Sequence, residues 1–253
     1  NALEKNLQNV DLAINVAAES HVDNSFGNSL IFTKTNTLGT HFFLEACRKQ
    51  KVNRIIHVST DEVYGENSGI PFKEKQFLNP TNPYSASKAA ADMIVNSYIK
   101  SYNMNITTLR ANNIYGIRQY PEKLIPKTIF CLLTQKKIPI HGNGNNYRYY
   151  LSVDDFCDGV VKIIENGKLN EIYNISSDRY YKVKDVIKII AKNLNKDFKS
   201  NIKFIKDRPF NDKIYKINCS KLKKLNWKVK RNLINDISII CDWYKTNINL
   251  FTK

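Results

Sequence analysis

Tyr84 and Lys88 stand four residues apart in the run Tyr84-Ser85-Ala86-Ser87-Lys88. On a helix this spacing puts both side chains on one face. An ammonium group near a phenol stabilises the phenolate and lowers its pKa, which makes Tyr84 usable as a base near neutral pH. A Tyr and a Lys at this spacing also arise by accident on amphipathic helices, so a second group of residues is needed to decide. That group is Ser59-Thr60-Asp61-Glu62-Val63-Tyr64-Gly65, which follows an apolar run beginning at Arg54. In parallel α/β sheets, ligands bind at the carboxyl ends of strands. The chain offers a hydroxyl and two adjacent carboxylates at such a place. Two carboxylates in different environments can divide into an acid and a base. Elsewhere an Asp-Glu pair reads as a solvated turn; at the end of a buried strand, upstream of the Tyr/Lys pair, it reads as chemistry.

The elements that must position these groups alternate in type. Residues 10–16 and 54–60 read as buried strands, 30–50 as a helix with apolar spacing, 84–102 as a long helix, and 106–109 as a third strand. Alternation of this kind predicts βαβ units and a parallel sheet. After Gly116 the rhythm loosens into a loop-rich stretch punctuated by Pro121, Pro126, Pro139, Gly142 and Gly144. Beyond it come a helix from about 151 to 165, a strand at 172–175, a helix at 184–194 and an amphipathic helix around Trp243. The fold class is α/β: a Rossmann-like doubly wound parallel sheet with a smaller C-terminal α/β domain. The expected division assigns 1–111 and a returning 148–170 to the first domain, and 112–147 with 171–253 to the second. No G-x-G-x-x-G turn follows an apolar strand, although such a turn normally holds a dinucleotide pyrophosphate. The N-terminal βαβ region of a complete sheet is therefore expected to be absent from this chain.

Composition narrows the function classes. The 253 residues are 42% hydrophobic and 25% charged, ordinary values for a globular protein. No apolar run approaches the roughly 18 residues of a membrane helix, and the first residues lack a secretory pattern. Five cysteines are scattered without a CxxC pair, which predicts a reducing, cytoplasmic setting with neither disulfides nor a structural metal. The formal net charge is +16, with basic clusters at 221–224 and 228–231. Aromatic stacking partners are not interleaved there as a single-strand binder requires. The clusters read as a solvated basic face, with no nucleic-acid or membrane partner expected. A basic protein also suits an acidic small substrate, because positive potential raises its local concentration.

Taken together, the residues resemble the extended short-chain dehydrogenase/reductase family, and within it the nucleotide-sugar 4,6-dehydratases. The resemblance runs from Ala17-Ala18-Glu19-Ser20-His21-Val22-Asp23, through Thr35-Asn36, Gly39-Thr40, the TDEVYG run, Asn82-Pro83-Tyr84, Asn112-Asn113-Ile114-Tyr115-Gly116, residues 121–126, Tyr173-Asn174-Ile175 and Asp207-Arg208-Pro209, to Trp243-Tyr244. It implies NAD as cofactor and five catalytic residues. Tyr84 takes the proton of the sugar C4 hydroxyl, Thr60 hydrogen-bonds the same oxygen, Glu62 removes the C5 proton, and Asp61 protonates the departing C6 hydroxyl. Lys88 serves Tyr84 and the cofactor ribose. Related epimerases usually lack the Asp-Glu pair, so Asp61-Glu62 favours elimination.

The resemblance further implies cofactor contacts from Ala17, Ala18, Thr35, Ser59, Tyr84, Lys88 and Asn113. Substrate contacts are implied for Ser20, Thr60, Asn112, Lys123, Leu124, Pro139, His141, Arg148, Asn174 and Arg208. Arginine suits a diphosphate because its planar fork meets two oxygens at once. Bacterial dTDP-glucose enzymes typically read PIYG, RDWLYV and DRPGHD where this chain has Pro139-Ile140-His141-Gly142, Arg148-Tyr149-Tyr150-Leu151-Ser152-Val153 and Asp207-Arg208-Pro209-Phe210-Asn211-Asp212. These departures look like the dehydratase domain of plant-type UDP-rhamnose synthases and favour UDP-glucose over dTDP-glucose. The family also implies a homodimer through a bundle of the 30–50 and 84–102 helices. Two alternatives remain: a nucleotide-sugar 4-epimerase or decarboxylase, and a non-catalytic NAD-binding scaffold.

Overall fold

The computed structural model describes residues 2–67 and 69–251. The described residues form nine strands: β1 Leu12–Asn15, β2 Arg54–Thr60, β3 Ile106–Ala111, β4 Asn113–Tyr115, β5 Ile138–His141, β6 Tyr147–Ser152, β7 Ile172–Ile175, β8 Tyr180–Lys182 and β9 Ile202–Ile205. They divide between two compact units. The first comprises Asn1–Ala111, Gly159–Ile175 and Lys216–Trp227; the second comprises Asn112–Asp158, Ser176–Tyr215 and Lys228–Lys253.

The first unit is built on a four-stranded sheet in the order β1-β2-β3-β7, parallel throughout. All six residues of β3 are buried, the continuous pattern of a strand covered on both faces. Ile55 pairs with Ala13 on one side and Ile106 on the other, and all three lie in a core with Leu44, Cys47, Val95 and Tyr98. The last two come from the Pro83–Tyr102 helix, whose start is fixed by Pro83 and by a reciprocal cap. The Asn82 side chain accepts from the Ser85 N–H at 2.9 Å, and the Ser85 hydroxyl accepts from the Asn82 N–H at 3.2 Å.

The single helix expected at 30–50 is interrupted. Ser29–Phe32 and Gly39–Lys49 are α-helical, but Thr33–Leu38 is a π-turn. Such wide turns add a residue within a helix and recur at functional sites. No sequence period announces one.

The second unit has a three-stranded sheet, β4-β6-β8, and a two-stranded parallel sheet, β5-β9. In the former, β6 runs parallel to β4 and antiparallel to β8. The helices Leu124–Leu133, Val183–Asn193 and Leu233–Asn247 supply most of one apolar core, including Ile125, Ile129, Ile187, Ile190, Leu233 and Ile237. The loop-rich reading after Gly116 is thus corrected, because that stretch holds a ten-residue helix and two strands.

The division between units also differs from expectation. The return to the first unit begins at Gly159, inside the Val153–Asn166 helix, because β6 pairs with β4 and β8. Residues 172–175 join the first unit, because β7 pairs with β3. Among the described residues no helix is long and apolar enough to cross a membrane.

Candidate active site

β2 ends at Thr60, and the chain turns at once into a short 3-10 helix, Asp61–Tyr64. The Thr60 hydroxyl oxygen accepts from the Glu62 N–H at 3.3 Å and donates to Asp61 Oδ1 at 3.2 Å. Gly65 closes the turn at φ +79°, where a Cβ would sit 2.2 Å from the Asn79 carbonyl oxygen. Only glycine permits this approach. The Asn79 N–H also donates to the Val63 carbonyl at 3.0 Å, so the carboxylate-bearing turn and the loop entering the Pro83–Tyr102 helix are locked together. That helix carries Tyr84, Lys88 and Asp92 on one stripe, each a turn apart.

Tyr84 is buried, with its ring edge against Phe32 at 6.2 Å between centroids. Burial pushes its phenol well above the usual range, and the negative charges of Glu62 and Asp61 push it further; a hydrogen bond with Thr60 pulls the other way. The four groups Thr60, Asp61, Glu62 and Tyr84 are therefore electrostatic neighbours, as the sequence pattern requires. The expected lowering of the Tyr84 pKa by Lys88 is corrected. The Lys88 ammonium donates instead to the Val58 carbonyl at 2.7 Å, and burial brings its own pKa down to about 8.

Beneath this site lies a buried ionic chain that the sequence reading did not find. Arg110 Nε donates to Asp92 Oδ2 at 2.9 Å, and His57 Nε2 lies 3.5 Å from Asp92 Oδ1. The Asn15 amide nitrogen, a donor only, sits 3.4 Å from His57 Nδ1, so Nδ1 accepts and the ring proton is on Nε2, facing Asp92. Burial works to raise the Asp92 pKa, but the neighbouring His57 ring and the Arg110 charge outweigh it and hold the carboxyl below its usual value. Arg110 continues to the Tyr64 hydroxyl at 2.9 Å, and that hydroxyl donates to Asn174 Oδ1 at 2.8 Å.

Asn174, expected to contact substrate, is here a fully buried end of this chain. Its amide nitrogen donates to the Phe72 and Asn218 carbonyls at 3.1 and 3.3 Å. Both amide atoms are thus engaged by protein.

A second residue missed by the sequence reading is Asn36, on the π-turn. It accepts from the Glu19 N–H at 2.8 Å and donates to the Glu19 carbonyl at 3.0 Å and the Ser87 hydroxyl at 2.9 Å. It ties the loop carrying Ala17, Ala18 and Ser20, at the carboxyl end of β1, to the helix of Tyr84 and Lys88. Thr35 is half-buried on the same π-turn, and Ser59 is buried near the end of β2. The hints in the sequence were its place in the Thr35-Asn36 match and its being a poor helix former within an expected helix.

In the second unit, Asn112 is buried and Asn113 exposed at the start of β4; Lys123 and Leu124 open the Leu124–Leu133 helix. Pro139 and His141 lie on β5, paired in register with Lys203 and Ile205 of β9. Gly142 packs so closely on Asp207 that a Cβ would meet its carboxylate at 2.5 Å, which brings His141 beside the segment holding Arg208. Arg148 faces the same segment: Nη1 donates to the Asp212 carbonyl at 2.9 Å and Nη2 to Asn211 Oδ1 at 3.2 Å. His141 and Arg148 thus lie beside residues 207–212, the segment that carries Arg208, while Pro139 stands further along β5 opposite Lys203. The Arg148 fork holds that segment rather than standing open.

The profile of the GDP-mannose 4,6 dehydratase family matches residues 1–238. A trifunctional UDP-glucose 4,6-dehydratase/UDP-4-keto-6-deoxy-D-glucose 3,5-epimerase/UDP-4-keto-L-rhamnose-reductase of Arabidopsis thaliana is 45% identical over 95% of this chain, which spans 37% of that protein's length. A dTDP-D-glucose 4,6-dehydratase of Dictyostelium discoideum is 42% identical over 98% of this chain and 67% of its own length. Among solved structures, the dTDP-glucose 4,6-dehydratase of Streptomyces venezuelae crystallised with NAD superposes with a TM-score of 0.96 at 32% identity, covering 99% of this chain and 78% of that one. By the family profile over residues 1–238, the identity with these dehydratases and the superposition, the chain belongs to the GDP-mannose 4,6 dehydratase family of extended short-chain dehydrogenase/reductases.

Proposed function

We propose that this protein is an NAD-dependent nucleotide-sugar 4,6-dehydratase, converting UDP-glucose or dTDP-glucose to the 4-keto-6-deoxy sugar nucleotide, with UDP-glucose the better substrate. The observation that carries the reading is the electrostatic neighbourhood of Tyr84 with Thr60, Asp61 and Glu62. One hydroxylic base, one hydrogen-bonding alcohol and two carboxylates are what oxidation at C4 followed by elimination across C5 and C6 needs. When bound, NAD would supply a hydride acceptor for C4 and, once reduced, the hydride donor for C6, so that the overall loss of water is redox-neutral. Its nicotinamide end would be held by Ala17, Ala18, Ser20, Thr35 and Lys88. The Asn36 clamp on the 17–20 loop and the buried, small-residue surroundings of Ser59 and Thr60 fit that role.

Tyr84 accepts the C4 hydroxyl proton while Thr60 holds the same oxygen. Glu62 then takes the C5 proton, acidic beside the C4 ketone, and Asp61 donates to the departing C6 hydroxyl. Ser20, Asn112, Lys123, Leu124, Pro139, His141, Arg148 and Arg208 are proposed for the sugar nucleotide, and Asn113 for the cofactor. Arg208 is the guanidinium for the diphosphate, with Arg148 shaping its segment.

A homodimer is proposed through the 29–49 and 83–102 helical segments, on which Leu30, Ile31, Leu38, Phe42 and Met93 are exposed. A reducing, cytoplasmic setting is proposed from the free cysteines.

The test is a product assay with UDP-glucose and dTDP-glucose side by side. The expected result is the near-ultraviolet absorbance of a 4-keto sugar in alkali, stronger with UDP-glucose. UDP-galactose as sole product would make the protein an epimerase, and binding of NAD and sugar nucleotide without turnover would make it a scaffold.

A further inference from the structure

We infer that Asn82 is a positioning residue for Glu62, and that one side chain sets the C5 base and the helix of the C4 base in a common frame. This rests on the dehydratase reading above. Asn82 is buried, and its two amide atoms do different work. Oδ1 accepts from the Ser85 N–H at 2.9 Å, capping the helix that carries Tyr84 two residues later. Nδ2 donates to Glu62 Oε2 at 3.3 Å. The donor points at one carboxylate oxygen of a residue at the start of a 3-10 turn, whose backbone is already pinned through Thr60, Gly65 and Asn79. The backbone of Glu62 is thus placed by the turn. Asn82 adds an uncharged N–H donor that orients its carboxylate from the Tyr84 helix. An amide suits this role because it restrains a carboxylate without supplying the positive charge that would make it a poorer base.

The two functions of Asn82 separate by substitution. Serine is an equally good N-cap but too short to reach Glu62, so Asn82→Ser keeps the helix start and removes the carboxylate contact. Asn82→Ala removes both. Asn82→Asp keeps the cap and places a second carboxylate against Glu62.

The experiment has two arms. In the first, turnover is measured with UDP-glucose carrying hydrogen or deuterium at C5, following the reduced cofactor by absorbance. Asn82→Ser is expected to lose about ten- to hundred-fold in turnover. Its C5 isotope effect should rise and reduced cofactor should accumulate, because only the proton abstraction at C5 is slowed. Asn82→Asp should lose more. An unchanged isotope effect in Asn82→Ser, at any turnover, overturns the inference, because a merely structural contact would slow both half-reactions alike. In the second arm, thermal midpoints of the ligand-free protein are compared for Asn82→Ser, Glu62→Ala and the double variant. Non-additive shifts support the contact, and additive shifts overturn it. This arm needs no turnover, so a wild-type protein that makes no 4-keto product would sink the dehydratase reading while still reporting on Asn82.

Discussion

The two units bury different kinds of residue. The interior of the first contains Lys88, Asp92, Arg110 and His57, all at 4% exposure or less, alongside Asn15, Asn36, Ser59 and Asn174. The main core of the second is aliphatic and aromatic: Ile125, Ile129, Ile138, Val186, Ile187, Ile190, Leu233 and Ile237. Its buried carboxylates tie neighbouring segments together instead. Asp155 accepts from the Lys230 and Arg231 N–H groups at 3.0 Å each, and Asp236 accepts from the Tyr115 hydroxyl at 2.7 Å. Each buried ion costs several kcal/mol in lost hydration, returned only by good partners. The first unit accepts that cost directly under the proposed catalytic groups. The second unit keeps its polar groups for shaping segments such as 207–212. The difference teaches that one unit is built to set charge and the other to set shape.

Substitutions that break one kind of interior and spare the other sharpen this contrast. The largest expected effect is on turnover. Tyr84→Phe should lower kcat by about 10²–10⁴-fold, the usual worth of a positioned acid–base group. Its stability should fall by less than about 1.5 kcal/mol, since only a hydroxyl hydrogen bond is removed. A protein that loses its fold with the hydroxyl would refute the separation of catalytic and structural groups on that helix.

The next effect is on stability of the first unit. Asp92→Ala should cost about 3–5 kcal/mol, because Arg110 is left charged and buried without its partner. Replacing both, as Asp92→Leu with Arg110→Met, should recover more than half of the loss, since the two desolvation penalties vanish together. Ile187→Ala in the second unit should cost about 2–5 kcal/mol by leaving a cavity. No second substitution at an ionic partner should rescue it. Urea unfolding of the variants measures all three. Rescue that fails at Asp92/Arg110 would mean that the ionic chain is held by more than its charges.

The contrast also explains what was legible in the sequence. The Tyr84/Lys88 pair and the Thr60-Asp61-Glu62 turn were readable because local rules place them: a helical period for the first, the end of an apolar strand for the second. β2 appears at Arg54–Thr60 as read, and the catalytic helix differs only by Pro83. Asn36, Asp92 and Arg110 were not readable. Asn36 meets Ser87 from 51 positions away, and Arg110 meets Asp92 across 18, on elements whose pairing no period encodes. The place of Asn174 in that chain was not readable either: its partner Tyr64 lies 110 positions upstream. In the second unit, short strands such as β4 and β8 have three residues each, too few to display an alternation.

The smallest expected effect tests whether Lys88 belongs to the charge-setting interior as firmly as Asp92 does. Burial lowers its pKa from the ordinary 10.5 to about 8. Protonation therefore favours the unfolded chain, in which the amine holds its proton up to the ordinary value. Below pH 8 the folded protein carries the full cost of a buried ammonium, and that cost is relieved as pH rises from about 8 to about 10.5. Lys88→Met keeps the length of the side chain and has no such dependence. The stability difference, wild type minus Lys88→Met, should move in favour of the wild type by about 1–3 kcal/mol across this window, measured by urea unfolding at closely spaced pH values. Taking the difference cancels the other groups that titrate there. A difference that stays flat would mean that the Val58 carbonyl and Asp92 compensate the ammonium in full, and the first unit would then hold no unrelieved charge. A difference that moves the other way would mean that the ammonium is more stable folded than free, and Lys88 would be a structural ion pair rather than a group kept ready to change its charge.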